Sequence, residues 1–96
     1  MSSVTDIILV TMPDSEQTNV ERLNAVGNLV LTPTSRHMVG SGKNMQCEVF
    51  ICAKNFLDHE DFIAAFRAIQ WDCPERVQLM LKGESDELFT VYSLLG

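Results

Sequence analysis

The chain has 96 residues, of which 46% are hydrophobic and 21% are charged, and its formal net charge is −6. This length predicts one domain over residues 1–96, with enough apolar side chains for a single core. The negative charge argues against direct binding to nucleic acid or to an anionic membrane surface, because both are recognised largely through Lys and Arg. It permits a basic protein partner, and it also serves simply to keep a small domain in solution.

Residues 6–12 predict the first strand, and its two apolar faces indicate a central position in a sheet. Residues 15–26 predict a helix, because apolar residues recur there at a spacing of three. Glu16 suits the positive end of the dipole of this helix, and Gly27 is the expected stop.

A second strand is predicted at residues 28–33 and a third at residues 46–53, with a polar segment at residues 34–45 between them. That segment is either a long loop or the tip of a hairpin. Side chains alternate between the two faces of the third strand, which places Glu48, Phe50 and Cys52 together.

The clearest helix is predicted at residues 58–71, where aromatic and aliphatic side chains repeat at helical spacing. The helix should end before Pro74, because proline disfavours a helical conformation in the residue that precedes it. Residues 76–82 and 88–93 predict two more strands, joined by an acidic turn at residues 83–87.

The predicted order is β-α-β-β-α-β with an extra strand at the end. This order indicates an α+β fold of the ferredoxin-like plait type, an antiparallel sheet with two helices on one face. The order is shared by many unrelated proteins, so it implies no function by itself.

The sheet face without helices is predicted to be apolar. Phe50, Cys52 and Met80 are expected to point there, together with one face of the first strand. Because water does not favour a large apolar face, something should cover it. The alternatives are a second copy, a partner, a ligand, or the terminal strand and residues 34–45 of the chain itself.

Residues 57–62, LDHEDF, contain the densest cluster of titratable groups in the chain. The cluster is interpreted as a helix start, with Asp58 as the N-cap and Leu57 packed against Phe62. Successive helical residues point about 100° apart, so these side chains cannot converge on a metal ion. His59 is expected to be solvated.

Arg36, His37 and Lys43 make residues 34–45 part of the only net-positive stretch of the chain. Arg36 and Lys43 are candidates for binding an anion or a carboxylate of a partner. The alternative is an ordinary turn between two strands, in which Gly40 and Gly42 supply backbone freedom. A phosphate loop is excluded, because the pattern lacks its first glycine and its final Ser or Thr.

The sequence provides no catalytic signature, no cofactor motif and no metal motif. The chain has three cysteines, Cys47, Cys52 and Cys73, an odd number that does not suit a set of disulfides, and no local motif of a catalytic cysteine surrounds them. They are interpreted as small apolar residues of a protein in a reducing compartment. With no signal peptide or membrane span predicted, the expected location is cytoplasmic.

Glu84, Asp86 and Glu87 form an acidic hairpin turn, and residues 58–61 are a second acidic segment. Together they would present a negative patch that imitates phosphates to a basic partner. The alternative is ordinary solvated turn and cap chemistry.

The sequence therefore favours a non-enzymatic protein-interaction module of the inhibitor or immunity type. It would dock on a larger basic protein, such as a nucleic-acid-handling one, through its acidic surface or its uncovered sheet face. The alternative is a homodimer with a pocket between two sheet faces, either a small-molecule-binding protein or a small enzyme. Candidate contact residues are Glu84, Asp86, Glu87, Phe50, Met80, Arg36 and Lys43.

Overall fold

The computed structural model describes residues 3–34 and 45–94. These residues form five strands, two α-helices and one short 3₁₀ helix, and thereby confirm the α+β class. In chain order they are β1 (Val4–Thr11), α1 (Gln17–Gly27), β2 (Thr32–Pro33), β3 (Glu48–Asn55), α2 (His59–Ala68), the 3₁₀ helix (Pro74–Arg76), β4 (Gln78–Gly83) and β5 (Thr90–Ser93).

The five strands form one antiparallel sheet in the order β2-β3-β1-β4-β5. The central position of β1 is the one that its two apolar faces predict. Its register pairs Leu9 with Phe50 of β3 on one side and with Leu79 of β4 on the other. Residues that are paired in this way point to the same face, so the register defines both faces of the sheet.

One face of the sheet carries the core. Alternate residues of β1, Ile7 and Leu9, are buried against side chains from both helices, so both helices cover this face. The buried apolar residues are Ile7, Leu9, Val20, Leu23, Leu31, Phe50, Phe62, Phe66, Trp71, Val77, Leu79 and Leu81. Trp71 closes the core after α2, and its ring N–H donates to the carbonyl oxygen of Phe66 at 2.8 Å.

The strand β2 is much shorter than the predicted strand at residues 28–33. Asn28 ends α1 in a left-handed conformation with a φ of 51°. The N–H of Leu31 then donates to Oδ1 of Asn24 at 2.9 Å, so this donor is used by the helix rather than by the sheet. Pairing with β3 therefore begins only at Thr32.

Gly27 is the last residue of α1, and close packing rather than backbone freedom requires its small size. A Cβ built on Gly27 would lie 2.7 Å from Cε1 of Phe62, which is a buried core residue. The left-handed residue expected at the helix end is Asn28 instead. Gly27 thus lets α1 approach α2 closely.

We expect the substitution Gly27→Ala to lower the free energy of unfolding by about 1 to 3 kcal/mol, the usual cost of overpacking. Alanine is the better helix former by up to about 1 kcal/mol, so helix propensity alone predicts stabilisation. Urea unfolding of the variant checks the sign, with Ala25→Gly at an exposed position of the same helix as the measure of propensity. An increase in stability would show that the Phe62 ring can move aside for the added methyl group at little cost.

Candidate functional site

The start of α2 and the turn that follows β4 lie side by side at one end of the sheet. Thr5 of β1 pairs with Gly83 of β4, and Oγ1 of Thr5 lies 2.7 Å from Nε2 of His59, the first residue of α2. A Cβ built on Gly83 would lie 3.9 Å from Cε1 of His59. The fold thus brings residues 58–61 and 83–87 together, and we call these two segments the acidic end.

The acidic end carries a charge equal to the whole net charge of the chain. It contains no Lys or Arg, and its acidic residues are Asp58, Glu60, Asp61, Glu84, Asp86 and Glu87. All six side chains are exposed. The chain has 13 acidic and 7 basic residues in total, so outside the acidic end seven acidic residues balance seven basic ones. The formal charge of −6 is therefore concentrated in two adjacent segments.

Two of these carboxylates stabilise the local backbone. Oδ1 of Asp58 accepts a hydrogen bond from the N–H of Asp61 at 3.1 Å, which confirms Asp58 as the N-cap of α2. Oδ2 of Asp86 accepts one from the N–H of Gly83 at 3.0 Å. Within the described part of the chain, the side chains of Glu60, Asp61, Glu84 and Glu87 make no such bond, so all four of these carboxylates face solvent.

His59 is half-buried and bonded to Thr5, and the prediction that it is solvated is wrong. A hydroxyl at 2.7 Å from an imidazole nitrogen has the spacing of a nucleophile and its base. Only 2% of Thr5 is exposed, however, so a substrate cannot reach its hydroxyl. The contact instead fixes the start of α2 on β1 and so positions the acidic end. No local pattern of the sequence predicts this contact, because Thr5 and His59 are 54 positions apart and meet only in the folded chain.

A second buried polar group, Glu16, holds the other end of the molecule together. Its Oε1 accepts hydrogen bonds from Nδ2 of Asn19 at 2.9 Å and from the N–H of Asp72 at 3.0 Å, and its Oε2 accepts from the N–H of Cys73 at 2.8 Å. Only 1% of Glu16 is exposed. Its partners come from α1 and from the segment after α2, so the role of Glu16 is to join these two parts. The sequence predicts only a favourable position on the helix dipole.

The sheet face opposite the helices, which we call the open face, carries one continuous row of side chains across all five strands. The register pairs Thr32 with Ile51, Ile51 with Ile8, Ile8 with Met80, and Met80 with Val91. Four of these five side chains are apolar. Ile51 is 47% exposed and Val91 is 54% exposed. The row is therefore an apolar band accessible from solvent.

The prediction that Phe50 and Cys52 lie on the open face is wrong. Phe50 pairs with Leu9 and Cys52 with Ile7, so both point toward the helices, and Phe50 is only 5% exposed. The strand pattern separates the two faces of β3 correctly but does not say which face meets the helices. Met80 does lie on the open face, as predicted, because it pairs with Ile8.

The open face also contains a shallow depression of about 510 Å³. Phe89, which precedes β5, contributes to its lining together with residues of β1 and β3, which are not neighbours of β5 in the sheet. The lining residues are Asp6, Ile7, Ile8, Thr32, Ile51, Cys52, Ala53 and Phe89. The chain itself therefore covers a part of the open face with one aromatic ring.

The predicted anion-binding or partner-binding residues Arg36 and Lys43 lie outside the described residues, as does most of the 34–45 segment.

The three cysteines, Cys47, Cys52 and Cys73, are free thiols of intermediate burial. Across residues 3–34 and 45–94, no three His, Cys, Asp or Glu side chains are grouped so as to hold a metal ion. In the same ranges, no helix has the length and apolar character needed to cross a lipid bilayer.

Comparison of the chain with protein-family models, with curated proteins and with solved structures found no match.

Proposed function

We propose that the protein is a non-enzymatic interaction module that docks on a basic partner protein through its acidic end. The observation that carries this proposal is the concentration of the full formal charge of −6 in residues 58–61 and 83–87. A charge spread evenly over the surface would serve only solubility. Six exposed carboxylates at one end instead make the molecule electrostatically asymmetric, with its negative potential concentrated at that end.

Electrostatic attraction toward such an end would orient a basic partner before contact and would increase the rate of association. The hydrogen bonds of Asp58 and Asp86 fix the backbone of both segments. A partner would therefore meet a preorganised surface, which lowers the entropic cost of binding. The hydrogen bond between His59 and Thr5 also holds the start of α2 against β1.

We infer a partner whose own function is to bind polyanions, such as a nucleic-acid-handling protein. Closely spaced carboxylates can occupy the Lys and Arg side chains that such a protein offers to phosphates. The chain would then act as an inhibitor or an immunity-type protein that blocks this basic surface.

The test compares two variants with the same net charge. The first replaces three of the four acidic-end residues whose carboxylates make no hydrogen bond, as Glu60→Gln, Glu84→Gln and Glu87→Gln. The control replaces three exposed acidic residues elsewhere, as Glu21→Gln, Asp72→Asn and Glu75→Gln. Proteins captured from the lysate of the host by the unmodified chain are identified and purified. Their affinity for all three forms is then measured by calorimetry at low and high salt.

We expect the acidic-end variant to bind about 10-fold to 100-fold more weakly, since each exposed charge contributes about 0.5 to 1 kcal/mol. Its salt dependence should also become flatter. The control should bind within about twofold of the unmodified chain. Equal weakening of both variants, or of neither, would contradict docking through the acidic end.

We also infer that the architecture is a ferredoxin-like plait extended by one strand. In its support, α1 connects β1 to β2 across β3, and α2 connects β3 to β4 across β1. These are two interlocked split βαβ units. The strand β5 on the outer side of β4 is additional to the four strands of such a plait.

A second candidate function is the binding of a small apolar molecule, and the depression on the open face favours it. Its volume of about 510 Å³ is within the range of ligand pockets. Its floor is apolar, and Asp6 and Thr32 supply polar groups. Ligand-observed NMR with a set of small apolar amines tests this candidate. The same screen on the variant Phe89→Ala is the comparison, because Phe89 lines the depression.

A further inference from the structure

We propose that a second copy of this chain covers the open face, so that two sheets pack face to face in a two-fold symmetric dimer. This proposal goes beyond the proposed function, because it uses a different surface from the acidic end. It assigns an occupant to the apolar band that runs from Thr32 through Ile51, Ile8 and Met80 to Val91.

The exposure of this band is the first argument. Ile51 and Val91 are about half exposed, and Phe89 beside them is 38% exposed. Ile51 pairs with Ile8 and Val91 pairs with Met80, so the apolar surface is continuous rather than scattered. A continuous apolar patch on a folded chain is typical of an interface.

The distribution of charge is the second argument, and it favours a copy of the same chain. On the described strands, the only charged residues of the open face are Asp6 and Lys82, which are register partners of opposite sign. The face therefore has no net charge, whereas the acidic end carries −6. Two identical chains repel each other through their acidic ends, and the open face is a surface through which they can meet without this repulsion.

The charge of the acidic end also favours one orientation of the two-fold axis over the other. A two-fold axis along the apolar band places each band over its counterpart, with Ile8 near Ile8 of the other copy. It reverses the strand direction, so the two acidic ends lie at opposite ends of the dimer. An axis parallel to the strands would bring the acidic ends together, which like charges disfavour. In the first arrangement both acidic ends remain accessible to other proteins.

The size of the face sets the expected affinity. Five strands about 4.8 Å apart, with about six residues of about 3.4 Å each, give a face of roughly 20 Å by 24 Å. Two such faces bury roughly 1,000 Å², which is at the lower limit of specific interfaces. We therefore expect a reversible dimer with a dissociation constant of about 1 to 100 μM.

Sedimentation equilibrium of the full chain between about 1 μM and 500 μM, a range that brackets this constant, measures the dimer directly. The substitution Ile51→Glu should weaken it at least 10-fold, because a carboxylate would be buried opposite an apolar band. Val30→Glu is the matched control, since Val30 is 72% exposed, lies outside the sheet and receives the same added charge. Circular dichroism confirms that each variant is folded, and Val91→Glu replaces Ile51→Glu if the latter does not fold.

A dimer that is weakened by the Ile51 or Val91 variant and not by Val30→Glu supports the proposal. A chain that stays monomeric over the whole range overturns it and leaves the face to another partner. A dimer that both face variants leave unchanged also overturns it. The acidic-end variant described above should dimerise at least as well as the unmodified chain, so failure of the dimer and failure of acidic-end docking can be told apart.

Discussion

The substitution Glu16→Gln should lower the free energy of unfolding by about 3 kcal/mol, because a hydrogen bond to a charged group contributes about 1.5 to 3 kcal/mol and more than one would be affected. The buried carboxylate accepts three hydrogen bonds, from Asn19, Asp72 and Cys73. An amide has one acceptor oxygen and one NH₂ group, so one side of the substituted side chain must place a donor against a backbone N–H.

Guanidinium unfolding followed by the fluorescence of Trp71, the single tryptophan of the chain, measures this loss. Glu21→Gln on the same helix is the control, since its exposed side chain should change stability by less than about 0.5 kcal/mol. A loss below about 1 kcal/mol for Glu16→Gln would mean that the segment after α2 is held by its apolar contacts rather than by Glu16.

Phe66→Ala should have the largest effect on stability, about 3 to 5 kcal/mol, because it removes a large side chain from a fully buried site. Phe66 is fully buried, and its ring lies 5.7 Å from that of Trp71 at a tilted angle of 53°. The variant would leave a cavity beneath α2 and would remove this aromatic contact.

Thermal unfolding by calorimetry and circular dichroism checks the expected loss. Phe66→Leu keeps most of the volume and should cost about 1 to 1.5 kcal/mol. If the two variants were equally stable, neighbouring side chains would have to fill the space left by Phe66, contrary to its fully buried position against Trp71. Because α2 begins at His59, we also expect Phe66→Ala to weaken binding through the acidic end.

The elements of the fold could be predicted from the sequence because their signals are local. The cap at Asp58 and the apolar faces of β1 depend on residues a few positions apart. The orientation of β3 could not be predicted in this way. Its two faces carry Phe50 and Ile51, both apolar, and only the register with β1 decides which one meets the helices.

The candidate site likewise combines features that are local in the sequence with features that depend on long-range contacts. Both acidic segments are visible in the sequence, but their proximity depends on the pairing of Thr5 with Gly83, which are 78 positions apart. The contact of Thr5 with His59 and the bonds of Glu16 to residues 72 and 73 are likewise long-range, and no local pattern reports them. The sequence therefore predicts which side chains are available for a site, but not which of them are in contact in the folded chain.

The central position of β1 has a consequence for synthesis in the cell. This strand is translated before its partners β3 and β4, which begin only at Glu48 and Gln78. At about 5 to 20 residues per second, β1 remains without its β4 partner for about 4 to 15 s. Both edges of this apolar strand are unpaired until β3 has been synthesised, and the edge that pairs with β4 stays open to chaperones and neighbouring nascent chains for the whole interval. The high sequence separation of these contacts also predicts slow folding for a chain of this length.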